Sequence, residues 1–338
     1  NLVINGAMQV AQRGTSFTST GYTLDRMQML TANTDNVAFT TTQSSTAPDG
    51  FANSLKVDIT TAETTLDSDE LFRLLYKAEG HDLQQLNYGS SAATSVTLSF
   101  YVRSNVTGVY AVEFRLNAAG TSTITKQYTI NSANTWERKT LTLPANTATA
   151  IDNDNTNGLE ISFALAAGSN FTTGSLGTSW ASTATASRYA GHAANVMSST
   201  SNEWLITGVQ FELGEQATPF EHRSFGDELL RCQRYYISVK NQSTYGPVGV
   251  GRAYSGTNGN CAYYFPCEMR TNPTVSVADL SKFDIVPGGG NPTSVGNDGG
   301  NLQSVKVGWV SSGVTDGGFY QFEFGNNTDG DLRFDAEL

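Results

Sequence analysis

Charged residues are scarce in this chain: Asp, Glu, Lys and Arg make up 15% of its 338 residues, and the formal net charge is −11. The 20 Lys and Arg residues form no basic run, which excludes the usual electrostatic pattern of a nucleic-acid-binding surface or of a segment that binds anionic lipid. No apolar stretch approaches the ~20 residues that a membrane-spanning helix needs. We therefore expect no nucleic-acid partner and no membrane insertion.

Histidine and cysteine are also rare, with three of each. The histidines have unrelated sequence contexts and no Gly-x-Ser-x-Gly motif occurs, so nucleophilic hydrolysis lacks its usual residues. Cys261 and Cys267 lie in one extended run that holds them too far apart to bond, and Cys232 lies on the apolar face of a predicted helix. We predict free thiols, a protein that is not an enzyme, and no cofactor apart from a possible structural calcium ion.

Threonine, serine, asparagine and glycine fill the gaps between many short apolar runs. Four segments alternate apolar and polar residues cleanly, as strands with one buried face do: residues 96–102, 110–116, 136–143 and 159–165. Residues 70–77 have the propensity of a helix, but their apolar residues alternate, so we predict a strand there, followed by a helical turn at 82–86. Strands of this kind with turn-rich links are typical of an antiparallel β-sandwich.

The strongest helical pattern follows a long alternating strand that begins at Trp204. Ser224 and Asp227 have the spacing of a helix-capping pair. Four apolar residues then recur at helical spacing: Phe225, Leu229, Cys232 and Tyr236. The sequence therefore predicts three parts, a β-sandwich over residues 1–221, a linking helix over 222–236 and a smaller antiparallel β domain over 237–338.

Aromatic residues in loops are the candidates for contact with a ligand. Residues 166–203 form a long insert rich in Gly, Ser, Thr and Ala, and inserts of this length are usually functional or mobile. Within it, Trp180 and Tyr189 are candidates for stacking on a sugar ring, as is Trp309 in the C-terminal part, because a flat ring matches the C–H-rich face of a sugar. Packing in the core is the alternative for each of them.

An Asn/Asp run from Asp152 to Gly158 is the candidate for a metal site. Asp152 and Asp154 offer oxygen ligands that suit Ca²⁺, but the run lacks the Glu that closes the usual calcium-binding loop. A turn stabilised by Asx side chains is the alternative.

Two segments near the middle of the chain resemble bacteriophage tail-fibre and related virion proteins. They are residues 206–214 (ITGVQFELG) and 217–236 (ATPFEHRSFGDELLRCQRYY). The opening residues 1–14 and 22–26 and the C-terminal residues 265–275 and 334–338 are similar to the same family. The resemblance implies a carbohydrate-binding-module-like jelly-roll sandwich followed by a small distal domain, or knob, and it implies a homotrimer.

Three functions follow from this resemblance. The first is a virion fibre protein that attaches to host-surface polysaccharide or lipopolysaccharide by non-covalent glycan binding and contacts other virion proteins through its N-terminal side. Such a protein assembles in the bacterial cytoplasm and is exposed on the particle. The second is a purely structural virion component, such as a head fibre, decoration or tail-tip protein. The third is a glycan depolymerase, although no pair of carboxylates stands out for that reaction.

Overall fold

The computed structural model describes residues 1–34, 36–116 and 121–338. The chain forms two compact units, one of Asn1–Glu228 with Leu338 and one of Leu229–Glu337. The regular structure of both units is mainly antiparallel strands with few and short helices, which confirms the all-β prediction. The boundary between the units falls inside a helix that the sequence placed between two domains.

The first unit contains two antiparallel sheets. Sheet A has six strands, in the order β1 (Ser16–Phe17), β4 (Ala38–Ser44), β5 (Ser54–Thr61), β13 (Glu203–Leu213), β7 (Val96–Ser104) and β10 (Glu137–Leu143). Sheet B has seven, in the order β12 (Ala181–Ser182), β9 (Ser122–Ile130), β8 (Gly108–Leu116), β11 (Asn157–Ala167), β6 (Leu71–Glu79), β3 (Met27–Ala32) and β2 (Gly21–Tyr22).

The core of this unit lies between the two sheets. The ring of Phe100 on sheet A meets that of Phe163 on sheet B edge-on, with centroids 5.2 Å apart, and Trp204 of sheet A is completely buried beside them. Burial of one such aromatic side chain stabilises the fold by about 1.5–3 kcal/mol. The alternation seen in the sequence therefore produces the predicted jelly-roll sandwich.

Strand β6 confirms the prediction for residues 70–77. Phe72, Leu74 and Tyr76 are all buried on its inner side, so packing against sheet A decides the structure in spite of the helical propensity of this segment. A 3₁₀ helix at Gly80–Leu86 provides the expected helical turn. The other 3₁₀ helices are Thr185–Ser187, Val196–Ser198 and Leu280–Lys282.

Helix α1 (Ser169–Thr172) lies in the long insert, and helix α2 (Phe225–Gln233) is shorter than the predicted range of 222–236. The Ser224 hydroxyl accepts a hydrogen bond from the amide of Asp227 at 3.2 Å, which confirms the predicted cap. Tyr236 begins a strand instead of extending the helix, since it pairs with Asp335. Cys232 is buried, but Phe225 is 57% exposed, so the apolar stripe predicted for the helix is buried only in part.

The second unit also has two sheets. Sheet C has three strands, in the order β14 (Tyr236–Lys240), β22 (Asp331–Asp335) and β17 (Thr274–Val277). Sheet D has six, in the order β18 (Phe283–Val286), β21 (Phe319–Phe324), β15 (Pro247–Ala253), β16 (Asn258–Tyr264), β20 (Ser304–Val310) and β19 (Ser294–Gly300). All pairings are antiparallel, as predicted for the smaller domain.

All three cysteines are free, as the sequence predicts. Cys232 and Cys261 are buried in the second unit, and Cys267 is partly exposed. Burial raises the pKa of the Cys261 thiol to about 12.

Candidate functional site

Aromatic side chains gather on the outer face of sheet A. In β7 the buried residues Phe100 and Val102 point into the core, so Tyr101 between them points outward. Arg138 of β10 pairs directly with Tyr101 and therefore shares that face. Trp136 precedes Arg138 by two residues and lies on the same side, where it is half-buried.

Tyr101 and Trp136 line an open cavity of about 490 Å³, which we call the Tyr101 cleft. Its remaining lining residues are small or polar: Ala47, Pro48, Asp49 and Thr135. The cleft thus combines two partly exposed aromatic rings with a carboxylate and a hydroxyl group, in a volume that accommodates a small organic ligand.

Gly208 has no side chain, which leaves room for the ring of Phe51 to pack beside that of Tyr101. Gly208 has a φ of +61°, and a Cβ atom there would lie 2.7 Å from Cζ of Phe51 and 3.0 Å from a ring carbon of Tyr101. The glycine lies at a β-bulge, where the pairing between β13 and β7 shifts after Thr207. Phe51 therefore fits into a dip in the sheet, and its ring centroid is 5.3 Å from that of Tyr101.

The loop that carries Phe51 is held in place by hydrogen bonds and ring contacts. The hydroxyl group of Thr207 donates to the carbonyl oxygen of Asn53 at 2.7 Å. Phe220 meets Phe51 edge-on at 5.1 Å, and the ring of His222 lies 5.1 Å from Phe51. These contacts fix one wall of the Tyr101 cleft before any ligand is present.

The charged residues on the same face neutralise one another. Nζ of Lys56 lies 2.9 Å from Glu203 and 2.8 Å from Asp58, and Arg103 also pairs with Glu203. Burial opposes ionisation of Glu203, but its hydrogen bond from Lys56 and the charges of Lys56 and Arg103 lower its pKa below the usual value. Arg138 donates to the hydroxyl of Ser99 at 3.4 Å and to the Thr218 carbonyl. Lys56, Asp58, Arg103 and Glu203 are therefore engaged with one another, and Asp49 is the charged residue that lines the cleft.

Tyr189 is not a ligand contact, contrary to the sequence prediction. The side chain is completely buried, and the long insert that carries it packs onto the outer face of sheet B. Its hydroxyl lies 2.7 Å from Oγ of Ser162 and accepts from Arg73 at 3.3 Å. The sequence suggested exposure because the insert looked like a free loop, but Ala111 and Ala164 leave a shallow apolar surface that Tyr189 covers.

Trp180 anchors the same insert. Its indole N–H donates to the carbonyl oxygen of Pro144 at 2.8 Å, and its ring meets Tyr88 edge-on at 5.8 Å. The side chain is half-buried and does not line the Tyr101 cleft. A sugar contact at Trp180 remains a prediction, and the visible role of the residue is packing.

Trp309 packs in the core of the second unit and also contributes to the lining of a small surface cavity, so a ligand contact there stays a prediction. It is 2% exposed and stacks on Phe322 at 6.0 Å. Gly259 on the paired strand makes room for the indole, since a Cβ atom there would lie 2.5 Å from Cζ2 of Trp309.

Asp154 supports the turn that the sequence offered as the alternative to a calcium site. Its Oδ1 accepts from the amide and the hydroxyl of Thr156 at 2.9 and 2.7 Å, and these bonds lower the pKa of its carboxyl. Asp152 is exposed. Within the described residues, no group of three or more His, Cys, Asp or Glu side chains could hold a metal ion. Calcium at Asp152 and Asp154 remains an untested prediction.

The sequence did not single out the residues of the Tyr101 cleft. It placed Tyr101 on the polar side of a strand and interpreted Trp136 as a core or rim residue. An aromatic residue at an outward position of a strand with a complete apolar inner face is the signal that identifies it. Phe51 could not be found this way, because its position depends on the bulge at Gly208.

No protein-family model and no curated protein sequence matches the chain significantly. Solved structures give weak similarities. The enzymatically active domain of tailspike protein 4 from bacteriophage CBA120 is 12% identical with a TM-score of 0.34, over 63% of this chain and 21% of that one. The family 11 carbohydrate-binding module from Clostridium thermocellum, in complex with a mixed-linked tetrasaccharide, is 11% identical with a TM-score of 0.31, over 60% and 98%.

A third similar structure is the CBM22-2 xylan-binding domain from Paenibacillus barcinonensis, which is 12% identical with a TM-score of 0.28, over 55% of this chain and 91% of that one. The neighbours thus include a phage tailspike domain and carbohydrate-binding modules. Similarity at this level carries no argument about function, which has to be argued from the residues of this chain. Where the structure describes the chain, it contains no helix of the length and apolarity that crossing a membrane requires.

Proposed function

We propose that this protein binds glycans non-covalently and serves as a fibre protein of a bacteriophage virion. In this role it attaches the particle to host-surface polysaccharide or lipopolysaccharide. The Tyr101 cleft is the observation that carries the glycan-binding proposal. The resemblance of residues 1–14, 206–214 and 217–236 to virion proteins supports the virion role.

The side chains of the cleft suit a sugar for two reasons. Tyr101 and Trp136 offer flat rings against which the C–H-rich face of a pyranose can pack. Asp49, Thr135 and Arg138 surround these rings with groups that accept or donate hydrogen bonds to sugar hydroxyls. Because Phe51 already supports Tyr101, little conformational entropy is lost when the ligand binds.

We further propose reversible adhesion without cleavage of a bond. Two buried ionisable side chains of the first unit, Glu113 and His192, have structural partners instead of an open site: Glu113 pairs with Arg188, and His192 accepts from the amide of Ala111. Weak binding at one cleft would be strengthened in a homotrimer, which presents three copies to a surface. The absence of new reducing ends after incubation with host polysaccharide is the expected result.

Two alanine variants test the glycan-binding proposal. Tyr101→Ala and Trp136→Ala are each expected to lower the affinity for host polysaccharide about tenfold, which is the usual order of one aromatic contact. Phe225→Ala is the matched control, because this ring is 57% exposed and does not line the cleft. Binding that survives both cleft substitutions, measured by isothermal titration or on a glycan array, would contradict the proposal.

The virion role needs a separate measurement. Electron microscopy of the phage particle labelled with an antibody against this chain is expected to place it on a fibre. Analytical ultracentrifugation is expected to give three times the mass of 36.2 kDa. A stable monomer in solution and no label on the particle would contradict the proposal.

A purely structural virion component is the second candidate. The exposed apolar side chains of the second unit favour it, since Val250 is 68% exposed and Tyr264 is 76% exposed, and such residues suit contacts between subunits. Glycan binding that is undetectable with the wild-type chain, together with assembly into particles, would favour this candidate over adhesion.

A further inference from the structure

A row of side chains crosses the outer face of sheet D in the second unit. The strand register places Phe319 opposite Arg252. Arg252 is opposite Asn260, and Asn260 is opposite Gly308. Gly296 on the edge strand completes the row. The neighbouring residues Cys261 and Phe322 are buried on the inner face, so the row faces solvent.

The glycine end of the row forms a small recess. A cavity of about 160 Å³ is lined by Gly296, Gly308, Tyr254, Asp298 and Trp309, together with Asn258, Ser294, Asn297 and Val310. A Cβ atom on Gly308 would lie 2.8 Å from Cβ of Asp298, so only glycine lets Asp298 lie above this strand. The pairing between β19 and β20 also shifts after Asn297, and this bulge directs Asp298 over the row.

The carboxylate of Asp298 is fixed by two neighbours. Asn260 donates a hydrogen bond to it, and the hydroxyl group of Tyr254 also bonds to it. Partial burial and the nearby charge of Asp298 raise the pKa of the Tyr254 hydroxyl. An anchored carboxylate with remaining lone pairs is well suited to accept hydrogen bonds from a ligand.

The other end of the row offers groups that the protein itself does not use. Arg252 is exposed and forms no ion pair or hydrogen bond among the residues that the structure describes. Phe319 beside it is 76% exposed, so its ring is accessible to a ligand. The row therefore presents an apolar ring, a planar donor and an oriented acceptor in sequence.

We propose that this row is a second saccharide-binding site, distinct from the Tyr101 cleft, and that it takes a neutral oligosaccharide. One sugar ring packs on Phe319, and Arg252 and Asn260 donate to its hydroxyl or ring oxygens. The next sugar unit enters the recess, where its hydroxyl groups donate to Asp298.

Charge excludes acidic sugars from this site. The carboxylate of Asp298 lies in the recess itself, where a second carboxylate would be repelled over a short distance. Arg252 does not line the recess and is separated from Gly308 by Asn260, so it does not offset the carboxylate of Asp298 there.

The test isolates the second site in the full chain. The double variant Tyr101→Ala, Trp136→Ala removes the rings of the first cleft and is screened on an array of neutral and acidic oligosaccharides. We expect residual binding to neutral oligosaccharides. In that background, Phe319→Ala and Asp298→Asn are each expected to lower this residual affinity about tenfold. If the first cleft binds no glycan, wild-type and double-variant chains bind alike, so failure of the first proposal is recognised separately.

Matched controls exist on the same unit. Tyr264→Ala removes a ring that is also 76% exposed but lies outside the row, and Asp316→Asn removes an exposed carboxylate that does not line the recess. Both controls are expected to leave binding unchanged. The proposal is overturned if the double variant binds no neutral oligosaccharide, if acidic ones bind better, or if the controls weaken binding as much as Phe319→Ala does.

Discussion

Arg188 forms a two-point ion pair with Glu113, with Nε 3.0 Å from Oε1 and Nη2 2.9 Å from Oε2. The side chain of Glu113 is 1% exposed and belongs to sheet B, whereas Arg188 belongs to the long insert. The ion pair therefore anchors the insert to the sandwich. The charge of the buried Glu113 carboxylate is neutralised by the guanidinium of Arg188.

Replacing Arg188 with alanine is expected to lower the free energy of unfolding of the first unit by about 3–5 kcal/mol, because it leaves the buried Glu113 carboxylate without its partner. Urea denaturation followed by fluorescence measures this change. Arg115→Ala is the control: its ion pair with Glu160 is longer, at 4.0 Å, and more exposed, so a loss of at most about 1 kcal/mol is expected. Equal losses for both variants would contradict the anchoring role.

Tyr189→Phe is expected to destabilise the first unit by about 1–2 kcal/mol without changing glycan affinity. The substitution removes the hydroxyl that bonds to Ser162 and Arg73, and Ser162 keeps only a 3.4 Å hydrogen bond from Arg73. A double-mutant cycle with Ser162→Ala measures how much of the loss comes from the bond between Tyr189 and Ser162. A fall in glycan affinity at unchanged stability would instead show that Tyr189 contacts the glycan.

His192 makes the stability of the first unit depend on pH. Burial lowers the pKa of His192 from 6.5 to about 4, so the unfolded chain binds this proton more readily than the folded one. The stabilisation is therefore fully present above about pH 6.5 and is lost as the pH falls towards 4. Between pH 7 and pH 5 we expect the free energy of unfolding to fall by about 2 kcal/mol from this group alone.

Denaturation curves at pH 7 and pH 5 test this dependence on the wild type and on His192→Gln. The variant is expected to lose most of the difference between the two curves, whatever its absolute stability. His81→Gln is the control, since His81 is exposed and its ring bonds to Asn153 at the surface. An unchanged pH dependence in His192→Gln would assign the effect to other groups.

Thiol labelling distinguishes the three free cysteines. Cys261 is buried and its pKa is raised to about 12, and Cys232 is also buried, so neither offers an accessible thiolate near neutral pH. Cys267 is partly exposed. Iodoacetamide followed by peptide mass mapping is expected to modify Cys267 alone in the folded protein and all three cysteines in urea. Labelling of Cys261 at the rate of Cys267 would contradict the packing of the second unit.

Local patterns predicted the strands but not the surfaces on which function depends. Alternation in a strand such as β7 reflects which side faces the core, and the structure follows it from Phe100 to Arg103. The cap formed by Ser224 is equally local. By contrast, the burial of Tyr189 depends on Ala111 and Ala164, which are distant in sequence and small enough to accept the insert. Nothing in the insert itself shows that a complementary surface exists.

The same reason explains the missed cleft. The position of Phe51 depends on Gly208, more than 150 residues away, and on a bulge that no periodicity shows. Trp309 was selected by residue type alone, and the alternation of β20 already placed it on the same side as Val305 and Val307, which are buried. The position of a residue on the inward or outward side of a strand therefore predicts its exposure better than its aromatic character does.

Gly208→Ala is the most direct test of how the fold shapes the Tyr101 cleft. The added methyl group would lie 2.7 Å from the ring of Phe51, so Phe51 and Tyr101 must move apart and the cleft loses its ordered wall. We expect a loss of about 1–3 kcal/mol in the free energy of unfolding, together with a fall in affinity for host polysaccharide. Gly214→Ala is the control that separates backbone strain from a steric clash of the added methyl group. Gly214 also has a positive φ, +102°, but no atom lies within 4 Å of its Cβ position. This control should lose stability through its backbone and keep full affinity; if it loses affinity as Gly208→Ala does, the rings at the bulge are not what recognises the glycan.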